Sequence, residues 1–317
     1  MMSAVGMLLL GLFLLLLAGD AVIRGASGLA QHFGLSPFAA GLVLIALATS
    51  TPGLAVNVYA IAVGQGDLAL GNAVGSSVVN IGLTLGLTAL CAPLLVNMRI
   101  LAAEIVFILV ASGLVLLFSL DGGIARWEGG VLLAAYLAFL VFVFWRGREE
   151  SADVQKELAA FAVTSTGLTQ NLIRFALAAA LLFFGSRLVV QSAPAVGLAM
   201  GMGSMLTGLI VVAVGMALPV LITAGLAAFN GQGNVVLGQV LGTCLFNLLF
   251  VVGGMAAWRP LSVPSALVTL QMAATMGFVL LLAPVLGGSY RISRRGGALL
   301  LLTFAAWLIF EVFSALS

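Results

Sequence analysis

Residues 41–86 read GLVLIALATSTPGLAVNVYAIAVGQGDLALGNAVGSSVVNIGLTLG, and residues 208–253 read GLIVVAVGMALPVLITAGLAAFNGQGNVVLGQVLGTCLFNLLFVVG. One constant offset of 167 aligns the two stretches without a gap. It pairs Gly41 with Gly208, Pro52 with Pro219, Gly64 with Gly231, Gly71 with Gly238, Gly75 with Gly242, Asn80 with Asn247 and Gly86 with Gly253. A Gly-rich apolar segment, interrupted by proline and present twice, is the pattern of the binding region in a secondary transporter built from repeats.

The rest of the chain agrees with a membrane setting. Hydrophobic residues make up 63% of the 317 residues and charged residues only 7%. A soluble domain carries about 25% charged residues, so this chain has too few to cover a water-facing surface. With roughly 20 apolar residues needed per spanning helix, ten spans are expected near 4–27, 37–63, 68–92, 100–120, 128–146, 169–195, 204–229, 234–257, 265–286 and 296–316. The first has no basic segment before it and a long apolar run, so it reads as a span and not as a leader peptide. The net charge of +2, without a basic stripe, gives no footprint for nucleic acid. Cys91 and Cys244 lie in apolar sequence with neither metal-type nor disulfide spacing, and read as small apolar residues. Phosphate loops, nucleophile elbows and His–carboxylate clusters are absent, which argues against an enzyme.

Basic residues set the expected orientation. Arg24, Arg99, Arg146, Arg148, Lys156, Arg174, Arg291, Arg294 and Arg295 fall on odd-numbered connections, and Arg126, Arg187 and Arg259 on even-numbered ones, Arg24 and Arg187 lying inside or close to span ends. That bias puts the odd connections in the cytoplasm and both termini outside. The one long polar connection, 146–168, then is a cytoplasmic linker between a first repeat, 1–145, and a second, 169–317. Each half holds five spans, an odd number, so the second is threaded in the opposite sense. The expected fold is an all-α integral membrane protein whose ten transmembrane helices form two inverted-topology five-helix repeats.

Pro52 and Pro219 fall midway along apolar spans. Proline removes a helix hydrogen bond, and in lipid the freed carbonyl must find protein, water or an ion. A plain kink is the simpler reading of either. Their matched positions, with Thr49, Ser50 and Thr51 beside the first, favour broken helices lining a midplane cavity. Ser76 and Asn80 are four residues apart and share a helix face, and Thr243 and Asn247 repeat the arrangement. Helix–helix packing explains small residues such as Gly75 and Gly242. It does not explain a duplicated Asn, which is costly to bury unpaired.

These segments resemble the α-repeats of the sodium/calcium exchanger membrane family, part of the cation/calcium exchanger superfamily. The resemblance rests on Ala48-Thr49-Ser50-Thr51-Pro52-Gly53-Leu54, on Gly64-Gln65-Gly66-Asp67 and on Gly71 through Asn80. In the second copy it rests on Gly215 through Leu221, Gly231 through Asn234 and Gly238 through Asn247. It implies a secondary-active antiporter working by alternating access and driven by sodium or protons. Thr49, Ser50, Ser76, Asn80, Thr243 and Asn247 would line its ion or substrate site, and Pro52, Gly75, Pro219 and Gly242 would shape it.

The departures fall on the chemistry. The family places a Glu after each proline as a main calcium ligand; here those positions are Gly53 and Val220. The Thr and Ser of its second repeat, which help to hold sodium, are Met216 and Ala217. Calcium normally takes six to eight oxygens that include carboxylates. A tight calcium site is therefore not expected, whereas sodium, another monovalent ion or a neutral polar solute fits the remaining oxygens. Calcium exchange itself follows only from the family. The alternatives are a transporter of a monovalent cation or neutral solute, and a non-transporting scaffold that binds a partner or lipid. An accessible polar cavity at Asn80 and Asn247 favours transport; one filled by Met216, Val220 and Leu favours the scaffold.

Other ionisable residues have simpler readings. Glu104, whose repeat mate is Gln271, is expected near an interface, snorkelling or paired with Arg99. Asp20 and Arg24 form a helix pair, Asp67 and His32 are solvated, and Glu311 is interfacial. No cofactor is expected beyond a transported Na+, Ca2+ or H+. The expected surroundings are the bilayer of an inner or plasma membrane.

Overall fold

The computed structural model describes residues 2–33, 50–96, 98–147, 156, 159, 164, 167–286 and 291–316. Ten long helices are seen among them. The first half holds α1 (Met2–His32), α2 (Thr51–Ala62), α3 (Gly66–Cys91), α4 (Met98–Phe118) and α5 (Arg126–Gly147). The second holds α6 (Leu168–Ala199), α7 (Ser204–Phe229), α8 (Gly233–Trp258), α9 (Ser265–Leu286) and α10 (Arg294–Leu316). Seven are long and apolar enough to cross a membrane, and apolar stretches of α2, α4 and α9 are shorter. Each of the ten expected spans coincides with one helix, although the start of the second lies outside the described residues.

The repeat mates α3 and α8 form the centre. Of their apolar windows 78% and 89% are buried, against 28–33% for α1, α5, α6 and α10. The peripheral helices show Leu9, Phe13, Phe183, Phe184, Leu302 and Phe310 on the outside, as expected of side chains facing lipid. The mates α1 and α6 lie antiparallel: a Cβ on Gly11 would meet the Gly185 carbonyl at 3.0 Å, and one on Gly28 would meet Asn171 at 2.1 Å.

Inverted symmetry also shows in two short antiparallel clips that join the halves. β1 (Leu94–Leu95) pairs with β4 (Arg291–Ile292), and β2 (Gly123–Ile124) pairs with β3 (Leu261–Ser262). Leu94 faces Ile292 while its repeat mate Leu261 faces Ile124, so one clip repeats the other.

Backbone contact between the halves depends on glycine. A Cβ on Gly71 would lie 2.0 Å from the Met205 carbonyl oxygen, one on Gly75 2.4 Å from that of Leu209, and one on Gly208 2.1 Å from that of Leu68. So α3 and α7 cross with their main chains touching, a packing that only small residues permit. Gly75 lies at this crossing of α3 and α7. Gly242 is buried at the equivalent place in α8.

One local expectation needs correction. Helix α2 begins at Thr51 with Pro52 in its first turn, where the absent N–H costs nothing. Its mate Pro219, however, lies inside the continuous helix α7. The second proline interrupts one hydrogen bond and does not break the helix. The departures from α-geometry occur elsewhere, in π-helical turns at Asn80–Leu85, Gly208–Val212 and Phe246–Val251.

Candidate functional site

Five of the six expected lining residues surround one cavity. Ser50, Ser76, Asn80, Thr243 and Asn247 line it with Pro52, Gly53, Met216, Ala217, Pro219 and Val220. Thr49 lies outside the described residues. Gly75 and Gly242 stand behind the cavity, one residue from Ser76 and Thr243. The cavity measures ≈20 Å³, room for about one water-sized particle. It lies where α2 and α3 of one half meet α7 and α8 of the other.

The hydroxyls are oriented alike in the two halves. Ser76 donates to the Asn72 carbonyl at 2.6 Å, and its mate Thr243 donates to the Gln239 carbonyl at 2.7 Å. Ser50 donates to Thr243 Oγ1 at 3.2 Å and bridges the halves. With their hydrogens committed to these acceptors, the three hydroxyls can present lone pairs inward. Asn80 and Asn247 add side-chain amides within the first two residues of matched π-helical turns, a distortion that recurs at functional sites. Every one of these five residues is buried. The lining suits a small cation and contains no carboxylate among the described residues.

Both discriminating features expected of the site are present together. The cavity is polar at Asn80 and Asn247, and Met216 and Val220 narrow it. The two vacated ligand positions differ in space. A Cβ on Gly53 would meet no heavy atom within 4 Å, whereas Val220 is buried and already fills its place.

A supporting layer was not anticipated. Asn72 Nδ2 donates to Asn57 Oδ1 at 2.9 Å. Its mate Gln239 donates to Thr223 Oγ1, which itself donates to the Pro219 carbonyl at 3.0 Å. Each half thus ties its third helix to its second, one turn from a cavity-lining residue. The pairing of Asn72 with Gln239 under the 167 offset was the available signal. Ser77 and Cys244, also mates, meet at the pseudo-axis, where Cys244 Sγ lies 3.7 Å from the Ser77 carbonyl.

The acidic residues divide. Asp20 and Arg24 form the expected pair at 2.9 Å, and Asp67 is exposed in the first turn of α3. Glu104 does not snorkel: it is buried, and its Oε2 has no hydrogen-bond partner among the described residues. The Arg99 side chain lies outside the described residues. Glu311, expected at an interface, is buried against its neighbours and accepts a hydrogen bond from Gln271 at 2.6 Å. The offset that pairs Glu104 with Gln271 pairs Glu311 with Phe144, so the first half lacks the residue that would complete the same bond. Neither acid lines the cavity.

Comparison with known proteins places this arrangement. The chain is 32% identical over 313 residues to the putative antiporter CaxA of Alkalimonas amylolytica, covering 97% of this chain and 98% of that protein. It is 29% identical to the inner membrane protein YrbG of Escherichia coli (strain K12), over 80% of this chain and 79% of that one. Among solved structures, the sodium-calcium exchanger NCX_Mj soaked with 2.5 mM Na+ and 0.1 mM Ca2+ superposes with a TM-score of 0.66 at 26% identity, covering 96% of this chain and 97% of that chain. The pattern of the sodium/calcium exchanger protein family matches residues 3–145 and 171–313, one match in each half. The chain belongs to the sodium/calcium exchanger family.

Proposed function

We propose that this protein is a secondary-active cation antiporter of the sodium/calcium exchanger type, which carries its ion through the Asn80–Asn247 cavity by alternating access. It is a transporter and not an enzyme. The observation that carries the site assignment is the shared cavity itself, in which both inverted halves contribute hydroxyl and amide oxygens at equivalent positions. A two-fold arrangement around one buried polar site is what lets one half rock against the other while the ion stays fixed.

The chemistry of the lining favours a monovalent cation as occupant. A divalent ion without counter-charge in a membrane interior faces a Born cost of tens of kcal/mol. Neutral oxygens recover enough of the hydration energy for monovalent ions, as carbonyl rings do in channels. Sodium therefore fits this cavity better than calcium, and calcium binding here is weak. The coupling ion is sodium or a proton.

The proposed setting is an inner or plasma membrane, with both termini outside and 146–168 as the cytoplasmic linker between repeats at 1–145 and 169–317. The excess of arginine on odd-numbered connections supports that orientation. Transport assays on proteoliposomes, scanning gradients of sodium, potassium, calcium and protons, test the function. Cation-coupled flux that disappears in the Asn80→Ala/Asn247→Ala variant is the expected result; silence towards all four from folded protein overturns it.

A further inference from the structure

The pseudo-symmetric clips carry different charges, and this difference points to a second binding site. Beside the β1–β4 clip lies an open pocket of ≈660 Å³ lined by Pro93, Arg291, Ser293, Arg294 and Arg295. Strand register gives the equivalent places at the β2–β3 clip: Pro260, Gly123, Ala125, Arg126 and Trp127. Proline is kept, and so is the arginine that opens the following helix. Arg291 and Arg295 have uncharged counterparts, Gly123 and Trp127. The β2–β3 clip forms without them, so they are not needed to close a clip.

Nor do they stabilise their own helix. Arg294 and Arg295 open α10, where the macrodipole disfavours positive charge. The first turn is already capped by Ser293, whose Oγ accepts from the Gly296 N–H at 3.2 Å. All three arginines are exposed, and none has an acidic partner among the described residues. At the other clip the equivalent turn carries Glu128, which accepts from the Ala125 N–H at 2.7 Å. One clip thus carries an acid in the turn that opens its helix, and the other holds three guanidinium groups, without an acidic partner among the described residues, around a pocket at the end of two spanning helices.

We propose that this pocket binds the phosphate group of an anionic phospholipid. Guanidinium groups present paired N–H donors that match phosphate oxygens. A basic pocket between helix ends at the membrane surface is the place where such a headgroup is met. The pocket is open, so the acyl chains of a bound lipid can remain in the bilayer.

The test uses the full-length protein in detergent, following its melting temperature during titration with phosphatidylglycerol, phosphatidylcholine or inorganic phosphate. The variants are Arg291→Gln/Arg295→Gln, Arg291→Lys/Arg295→Lys and, at the other clip, Arg126→Gln. Each neutralised arginine is expected to weaken phosphatidylglycerol binding about fivefold, so the double Gln variant loses roughly 25-fold. The Lys variant keeps the charges that orient the chain and should fall between it and the parent. Arg126→Gln should bind like the parent. An unchanged response in the double Gln variant overturns the proposal, as does an equal loss in Arg126→Gln. Equal stabilisation by inorganic phosphate also overturns it, by making this a site for the free ion.

Discussion

Restoring one carboxylate should convert the cavity towards a divalent site, and Gly53→Glu is the substitution that the structure can accept. Gly53 lines the cavity, and a Cβ there would meet no heavy atom within 4 Å. It stands in the first turn of α2, where an acid also gains from the helix dipole. A unit charge about 4 Å from a cation gains ~4 kcal/mol at an effective dielectric of ~20, and a divalent ion doubles this. Desolvating the ion and the carboxylate costs several kcal/mol each. A net gain of about 2–4 kcal/mol would strengthen calcium binding roughly 30- to 1,000-fold. Sodium receives half the Coulomb term and should gain far less. Calorimetric titration of calcium in sodium-free detergent solution measures the change. Gly53→Gln, isosteric and neutral, controls for added oxygens. Val220→Glu tests space, since the same charge must there displace a packed side chain and should destabilise the fold. The reasoning fails if folded Gly53→Glu binds calcium no better than its parent, if Gly53→Gln gains as much, or if the parent already binds calcium in the micromolar range.

Other perturbations probe the frame around the cavity. Gly71→Ala places a methyl group 2.0 Å from the Met205 carbonyl oxygen, and should lower stability by about 1–3 kcal/mol through overpacking, visible as a lower melting temperature in detergent. Gln239→Leu removes the bond to Thr223 while keeping volume; a loss of about 1 kcal/mol, together with weaker ion-dependent protection from unfolding, is expected. Glu104→Gln replaces a buried carboxyl, without a partner among the described residues, by the amide found at its repeat mate. The melting temperature should hold or rise and exchange should persist; loss of exchange with the fold intact would give Glu104 a direct part in transport.

Much of this arrangement could be read from the chain. The 167-residue offset carried the fold, because a duplication of an odd number of spans forces inversion. The same offset located Ser76, Asn80, Thr243 and Asn247, since buried polar residues repeated at one helix spacing need a common explanation. Pro219 misled, because a proline signals one missing hydrogen bond and says nothing of whether neighbouring turns hold the helix straight. The π-helical turns at Asn80 and Asn247 left no local trace in the sequence. The burial of Glu104 and Glu311 was hidden for a related reason. Position along a span fixes depth, but only tertiary packing decides whether a side chain faces lipid, water or another helix. The asymmetry between Gly53 and Val220 was likewise invisible, since open space is a property of neighbours.

A cavity shared by two inverted halves, with no carboxylate among its described lining residues, should still carry a cation. Radioactive sodium exchange across proteoliposomes containing the parent protein or Asn80→Ala/Asn247→Ala tests it most directly. The parent should exchange sodium for sodium and the variant should lose at least tenfold, equivalent to about 1.4 kcal/mol or more. Equal exchange by both, with each protein shown to be folded, would place the ion elsewhere and contradict the assignment of the site.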